Sequence, residues 1–191
     1  GLSYGVRSPF VYANVLLNNG QAFSKLNLTF THCPNDAFQW VSSAPTTSNG
    51  GYEPPRGPED PMAVFMMGSP TPAVEGSSAR ELCRAGRYKI YSTTFAQYEA
   101  QIRQQLQSLL GQYGFDHETD IQAITVNRIP HGYAYSYLGL DDPEWEEGKA
   151  PHEIGRAQFG RISIANSDSE ATPLMDAAFD AAWRAVAEQT A

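Results

Sequence analysis

The sequence predicts an α/β chain, and three observations carry that expectation. Apolar runs of strand length at 8–17, 62–67 and 121–128 are interleaved with helix-period segments at 21–26 and 95–110. Turn residues punctuate them, as at Asn18-Asn19-Gly20 and through the Pro- and Gly-rich stretch 42–61. From Phe159 onward the chain repeats the pattern in short form, a strand, a small polar turn and a helix.

Composition narrows the class. With 191 residues the chain can bury a sizeable core as one domain or two. Ten Tyr, nine Phe and three Trp beside few charged residues describe a folded globular protein with much of its surface engaged. A formal charge of -8 argues against nucleic acid, whose phosphates need clustered Lys and Arg. No apolar run reaches the roughly 18 residues that a membrane-spanning helix requires. The first residue is Gly1 rather than Met, which predicts that a tag, a signal or a larger precursor has been removed upstream. Cys33 and Cys83 are either one disulfide or two buried thiols. The four histidines, 32, 117, 131 and 152, lack metal-ligand spacing, and no metal site is expected.

In chain order, 8–17 reads as a buried strand and Gln21-Ala-Phe-Ser-Lys-Leu as a short helix. A second apolar region, 27–41, carries Phe30, Phe38 and Trp40. The segment 42–61 reads as a long surface excursion between two strands of one sheet. Met62-Ala-Val-Phe-Met-Met is almost wholly apolar, so both its faces are expected to be covered. Its methionines fit core packing better than a soft ligand set. A polar loop then leads to Arg84-Ala-Gly-Arg-Tyr. Ser92, Thr93 and Thr94 offer caps for the longest helix, 95–110, whose stripe is Phe95, Tyr98, Ile102, Leu106, Leu109 and Leu110. After the linker 115–120, Ile124 and Val126 mark one face of a strand over 121–128.

That strand runs into a bend at Pro130 and Gly132. Tyr133, Tyr135 and Tyr137 then alternate, so that on an extended segment all three project from one face. Two readings stay open: half-buried tyrosines on an amphipathic strand, or an aromatic wall facing a flat or cationic ligand with His131 at its edge. The following loop, Asp141-Asp-Pro-Glu-Trp-Glu-Glu, is acidic; it is either a solvated face or a lure for a polyamine or other cation. In the closing segment Ile162, Ile164 and Ala165 supply the strand, and Asn166-Ser-Asp168 the turn. Thr172 is the expected helix cap and Pro173 the first helical residue. Leu174, Ala178, Phe179, Ala182, Trp183 and Val186 share one stripe. A capped helix start presents unpaired first-turn N–H groups to an electron-rich ligand.

Two strings together resemble the C-terminal part of FAD-dependent amine oxidoreductases, in particular the bacterial spermidine-dehydrogenase-like branch. They are Arg128-Ile-Pro-His-Gly-Tyr-Ala-Tyr and Phe159-Gly-Arg-Ile-Ser-Ile-Ala-Asn-Ser-Asp with its following Met175-Asp-Ala-Ala helix. Shorter matches at Val11-Tyr-Ala-Asn-Val-Leu-Leu, Ala22-Phe-Ser-Lys-Leu, Gly114-Phe-Asp and Asp120-Ile-Gln-Ala-Ile-Thr-Val-Asn-Arg extend the resemblance over nearly the whole chain.

The resemblance implies FAD as cofactor and hydride transfer from an amine, polyamine-like, or an alcohol to flavin N5. It implies that Ala165, Asn166, Ser167 and Asp168 lie near the ribityl or phosphate part of the cofactor. The amides of Met175, Asp176 and Ala177 would face the flavin N1 and C2 carbonyl, where negative charge builds on reduction. Tyr133 and Tyr135 match substrate-flanking aromatic positions, and His131 is the one plausible catalytic acid or base. Ile129 stands where the branch often has Trp, so that residue's role is not carried over.

The G-x-G-x-x-G dinucleotide fingerprint is missing. The expected architecture is therefore an α+β substrate domain with a mixed or antiparallel sheet over 1–150. Residues 151–191 would add the closing strand and helix of a Rossmann-type FAD domain. Such a fold is incomplete without a partner polypeptide that carries the Rossmann half, either a large subunit or the other product of a processed precursor. Relatives of this kind are often exported, which makes the periplasm the expected compartment and the cytoplasm the alternative. The competing expectation for function is a non-catalytic subunit or binding module that keeps the fold without touching flavin.

Overall fold

The computed structural model describes residues 5–44, 49–51, 53–137, 139 and 142–190. Residues 45–48 of the long excursion and Asp141 of the acidic loop lie outside the described residues. The chain divides into two compact units, Pro9–Pro130 on the one hand, and His131–Ala191 together with Gly1–Ser8 on the other.

The elements run β1 (Ser8–Leu17), α1 (Gln21–Leu26), β2 (Phe30–His32), β3 (Trp40–Ser43), β4 (Met62–Gly68), α2 (Ala79–Ser92), α3 (Phe95–Leu110) and β5 (Ile121–Gly132). The five strands form one antiparallel sheet in the order β2-β3-β4-β1-β5. Its alternation is that of a half-covered sheet. Val11, Ala13, Val15 and Leu17 of β1 are buried, as are Val41 of β3 and Val64 and Met66 of β4. Tyr98, Ile102, Leu106 and Leu110, every fourth residue of α3, join the same core with Phe23 of α1. The expectation that both faces of β4 are covered needs correcting. Ala63 is exposed and Phe65 and Met67 are only half-buried, because the core takes just the alternate residues of the strand. The apolar run of β4 thus reflects an aromatic outer face, on which Tyr12 and Phe65 rings lie 5.5 Å apart.

α2 stands where the sequence suggested only a polar loop and a basic stretch. Few apolar residues and a central Gly86 hid it, yet Ser78 and Glu81 form a capping box that starts the helix cleanly. Gly86 is there for space: a Cβ would lie 2.7 Å from Pro9 Cγ. Cys83, buried in α2, and Cys33, half-buried, form no disulfide with each other.

The β2–β3 connection folds inward rather than out into solvent. Phe38 is completely buried, with its ring 6.3 Å from that of Tyr98. Gln105 of α3 holds it like a fork: its amide Nε2 donates to Phe38 O at 2.7 Å, and Phe38 N–H donates to Gln105 Oε1 at 3.2 Å. One buried side chain thereby satisfies a donor and an acceptor that no strand can reach. Gln105→Leu keeps the volume and orphans both groups, so the chain is expected to lose about 2 kcal/mol of stability, read as a lower urea midpoint with unchanged slope.

In the second unit, α4 (Pro151–Gly155), a 3-10 turn (Ser167–Glu170) and α5 (Met175–Thr190) are joined by irregular chain. The strand expected over 162–165 does not form. A single bridge, Phe159 to Ile162, is the only pairing there among the described residues. The reason is that a strand needs a ladder, and this segment has no neighbouring strand to pair with.

Candidate functional site

The turn at Ser167–Glu170 is the hub of the C-terminal unit. Asn166 caps it, its side-chain oxygen accepting from Ser169 N–H at 3.1 Å, and Ala171 leaves it in the left-handed region at φ 51°. Asp168 gathers two distant pieces of chain. The Arg7 guanidinium pairs with one carboxylate oxygen, and Tyr135 N–H donates to the other at 2.7 Å. Burial alone would raise the Asp168 carboxyl. The hydrogen bonds from Arg7 and Tyr135 and the charge of Arg7 outweigh it and hold the group below the ordinary carboxylate range.

A carboxyl depressed in the folded state stabilises that state above its unfolded value, near ~3.9, and the contribution disappears as pH falls through the folded value. Asp168→Asn is expected to flatten the acid limb of thermal stability below about pH 5 and to leave the neutral-to-alkaline limb nearly parallel to wild type. Parallel acid limbs for the two proteins would refute the coupling.

The next residue but one carries a second network. Glu170 accepts from Arg156 and, at 3.3 Å, from Arg184 of α5. Arg184 also donates to Ile164 O at 2.7 Å and to Glu188 at 2.6 Å, while Arg156 Nη1 donates to Ser169 O at 3.0 Å. These charge-assisted bonds clamp α5 onto the segment before it. The small residues Ala177 and Ala181 make the close approach.

This clamp sets which side of α5 faces inward. Its large apolar stripe faces outward: Phe179 is 69% and Trp183 78% exposed, and Leu174, Met175 and Val186 are exposed with them. Phe159 and Ile162, in the turn before the hub, are exposed as well. Aromatic side chains of this size place an apolar patch on the order of several hundred Å² in water, at or above the largest usual on a monomer.

The expected site residues fall into three groups. Tyr135 and Asp168 are brought into direct contact; Tyr135 is buried, and its hydroxyl donates to Asp142 at 2.9 Å. Tyr133 and Tyr137 are exposed, and Tyr133 sits at φ 52°, which ends β5 and interrupts the alternation that would have made one wall. His131 is exposed at the end of β5, and its side chain makes no hydrogen bond among the described residues. Ala165 and Asn166 are exposed and Ser167 half-buried.

At the start of α5, Thr172 does not cap: its hydroxyl donates to Glu170 O at 3.2 Å. The Ala177 amide donates to the Asp176 carboxylate at 2.9 Å, while the amides of Met175 and Asp176 meet no acceptor among the described residues. Arg7, Arg156, Glu170 and Arg184 were not singled out from sequence. The pairs Arg7–Asp168, Arg156–Glu170 and Arg184–Glu170 span 14 to 161 residues, which no local spacing marks; Arg184–Glu188 alone sits at the helical i,i+4 interval.

As to larger chemistry, the described residues hold no group of three or more His, Cys, Asp or Glu placed to bind a metal ion. No described helix is long and apolar enough to cross a membrane. No known family's sequence model and no curated protein matches this chain.

Proposed function

We propose that the chain is the substrate-side part of an FAD-dependent oxidoreductase that oxidises an amine, polyamine-like, or an alcohol. In this reading the dinucleotide-binding half resides on another polypeptide. The observation that carries it is the outward apolar stripe of α5, together with the 162–165 segment, which has a single bridge at Ile162 and no strand ladder among the described residues. An extended apolar segment without a ladder and a helix with its large side chains in water fit a chain whose completing sheet lies on another polypeptide. The Pro-His-Gly-Tyr-Ala-Tyr and Ile-Ala-Asn-Ser-Asp strings supply the direction towards flavin chemistry.

The residues fit the cofactor in part. The open amides of Met175 and Asp176 are suitable donors for the electron-rich edge of the isoalloxazine. Asp168 is already committed to Arg7 and Tyr135, and Asp176 places negative charge where reduction would add more. The flavin supplies the hydride acceptor; Tyr133 and His131 would orient the substrate, and the partner's docking would exclude water. The occupied Asp168 and Ala177 groups also favour the second reading, a subunit that keeps the fold without touching flavin.

Co-expression with the polypeptide carrying the dinucleotide-binding half tests both. A yellow complex with a flavin absorption band, bleached by an amine or alcohol donor, is the expected result. A colourless stable complex supports the non-catalytic subunit, and a well-behaved monomer that takes no partner refutes the proposal.

A further inference from the structure

We infer that the exposed stripe of α2, on the sheet-bearing unit, is a docking surface for an acidic protein. Four of the chain's thirteen basic residues, Arg80, Arg84, Arg87 and Lys89, lie within this one helix, against a single acidic residue, Glu81. The whole chain carries -8, so the helix is a local island of opposite sign. Glu81 is spent on the capping box with Ser78. Arg128 adds a further positive charge at the C-terminal end of the helix, where its guanidinium donates to Thr93 O at 2.9 Å.

Most arginines outside this helix have a carboxylate: Arg7, Arg56, Arg103, Arg156 and Arg184 all form ion pairs. Arg80, Arg84 and Lys89 are exposed and pair with no acidic residue among those described. Helix stability does not account for the pattern. Arg80 lies in the first turn, where the helix dipole disfavours a cation.

Spacing and composition point to a protein partner. Arg80, Arg84, Tyr88 and Tyr91 follow one another at helical intervals on one side, with Tyr88 77% and Tyr91 64% exposed and Phe95 exposed just beyond. Arginine and tyrosine are the residues enriched at interface hot spots, where the ring fills a pocket and the guanidinium meets carboxylates bidentately. An anionic membrane fits less well. Cys83 and Ile90, the apolar residues α2 would have to insert, are buried in the protein, and no aliphatic side chain lines the exposed stripe. The complementary partner is therefore a protein surface rich in Asp and Glu with an apolar recess for the tyrosines.

The test uses a labelled poly-Glu peptide as probe and the isotopically labelled chain as target. General attraction between this acidic chain and poly-Glu is absent, so binding requires the local patch. Amide shifts confined to 78–95, weakening with salt, are expected. Arg80→Gln/Arg84→Gln is expected to bind about fivefold more weakly, from two exposed charge contacts of modest strength. Tyr88→Ser/Tyr91→Ser should lose the residual binding left at high salt. Arg161→Gln, an exposed arginine of the other unit, should change nothing. Scattered or absent shifts, equal binding by the charge variant, or binding to phosphatidylserine-containing vesicles but not to the peptide would each overturn the inference.

Discussion

Phe179→Asp combined with Trp183→Asp is expected to weaken association with the proposed dinucleotide-binding polypeptide by about a thousandfold while leaving the fold of the chain intact. Both side chains point into solvent, and neither belongs to the buried core. Their replacement therefore removes almost no internal packing. Large aromatics at the centre of an interface each account for about 2 kcal/mol or more, and a buried unpaired carboxylate in their place adds to the loss. Two such sites give the thousandfold figure by the usual conversion, about 1.4 kcal/mol per decade. Unchanged circular dichroism with lost co-purification is the expected pair of results. The isolated variant should also be less prone to self-association than wild type, since the apolar patch is broken. Undiminished complex formation would mean that α5 does not face the partner.

Gly68→Ala is the second large effect. A Cβ on Gly68 would lie 2.3 Å from Ala37 O, a distance no real Cβ contact sustains. The neighbour is backbone, and it cannot turn aside as a side chain does. Ala37 precedes Phe38, and the whole connection is fixed on both sides: Gln105 holds Phe38, and Ser69 N–H donates to Gln39 Oε1 at 2.8 Å. One methyl group must therefore lift Phe38 from the core or push β4 out of its ladder. A loss of about 3 kcal/mol is expected, at the upper end for overpacking. A fall in melting temperature of several degrees checks it, and Gly57→Ala, where a Cβ meets nothing within 4 Å, is the matched control.

Much of the sheet-bearing unit was legible beforehand. The apolar alternation of β1, the capping residues before α3 and its stripe at every third or fourth position are local signals, and the observed elements occupy those spans. α2 escaped because its buried side is only Cys83, Gly86 and Ile90, too thin a stripe to stand out among its arginines. Its capping box was the one local sign. The candidate site was less legible. Tyr133, Tyr135 and Tyr137 alternate in sequence, but alternation sets a common face only while the backbone stays extended, and Tyr133 at φ 52° leaves that region. Asp168 looked available because its partners, Arg7 and Tyr135, lie 161 and 33 residues away.

The closing helix separates the two kinds of information most clearly. Sequence alone determined that an amphipathic helix follows a polar turn, expected from Pro173 and observed over Met175–Thr190, because helical period and turn chemistry are local properties of neighbouring residues. It did not determine which face would be inside. That was decided by Arg184, which reaches Glu170, Ile164 and Ser169 and draws the alanine side of the helix inward. Charge-assisted bonds across 14 to 20 residues of chain hold that side in, and Phe179 and Trp183 stay in solvent. The apolar stripe is written in the sequence, but its being turned to the solvent is a fact of the tertiary structure alone.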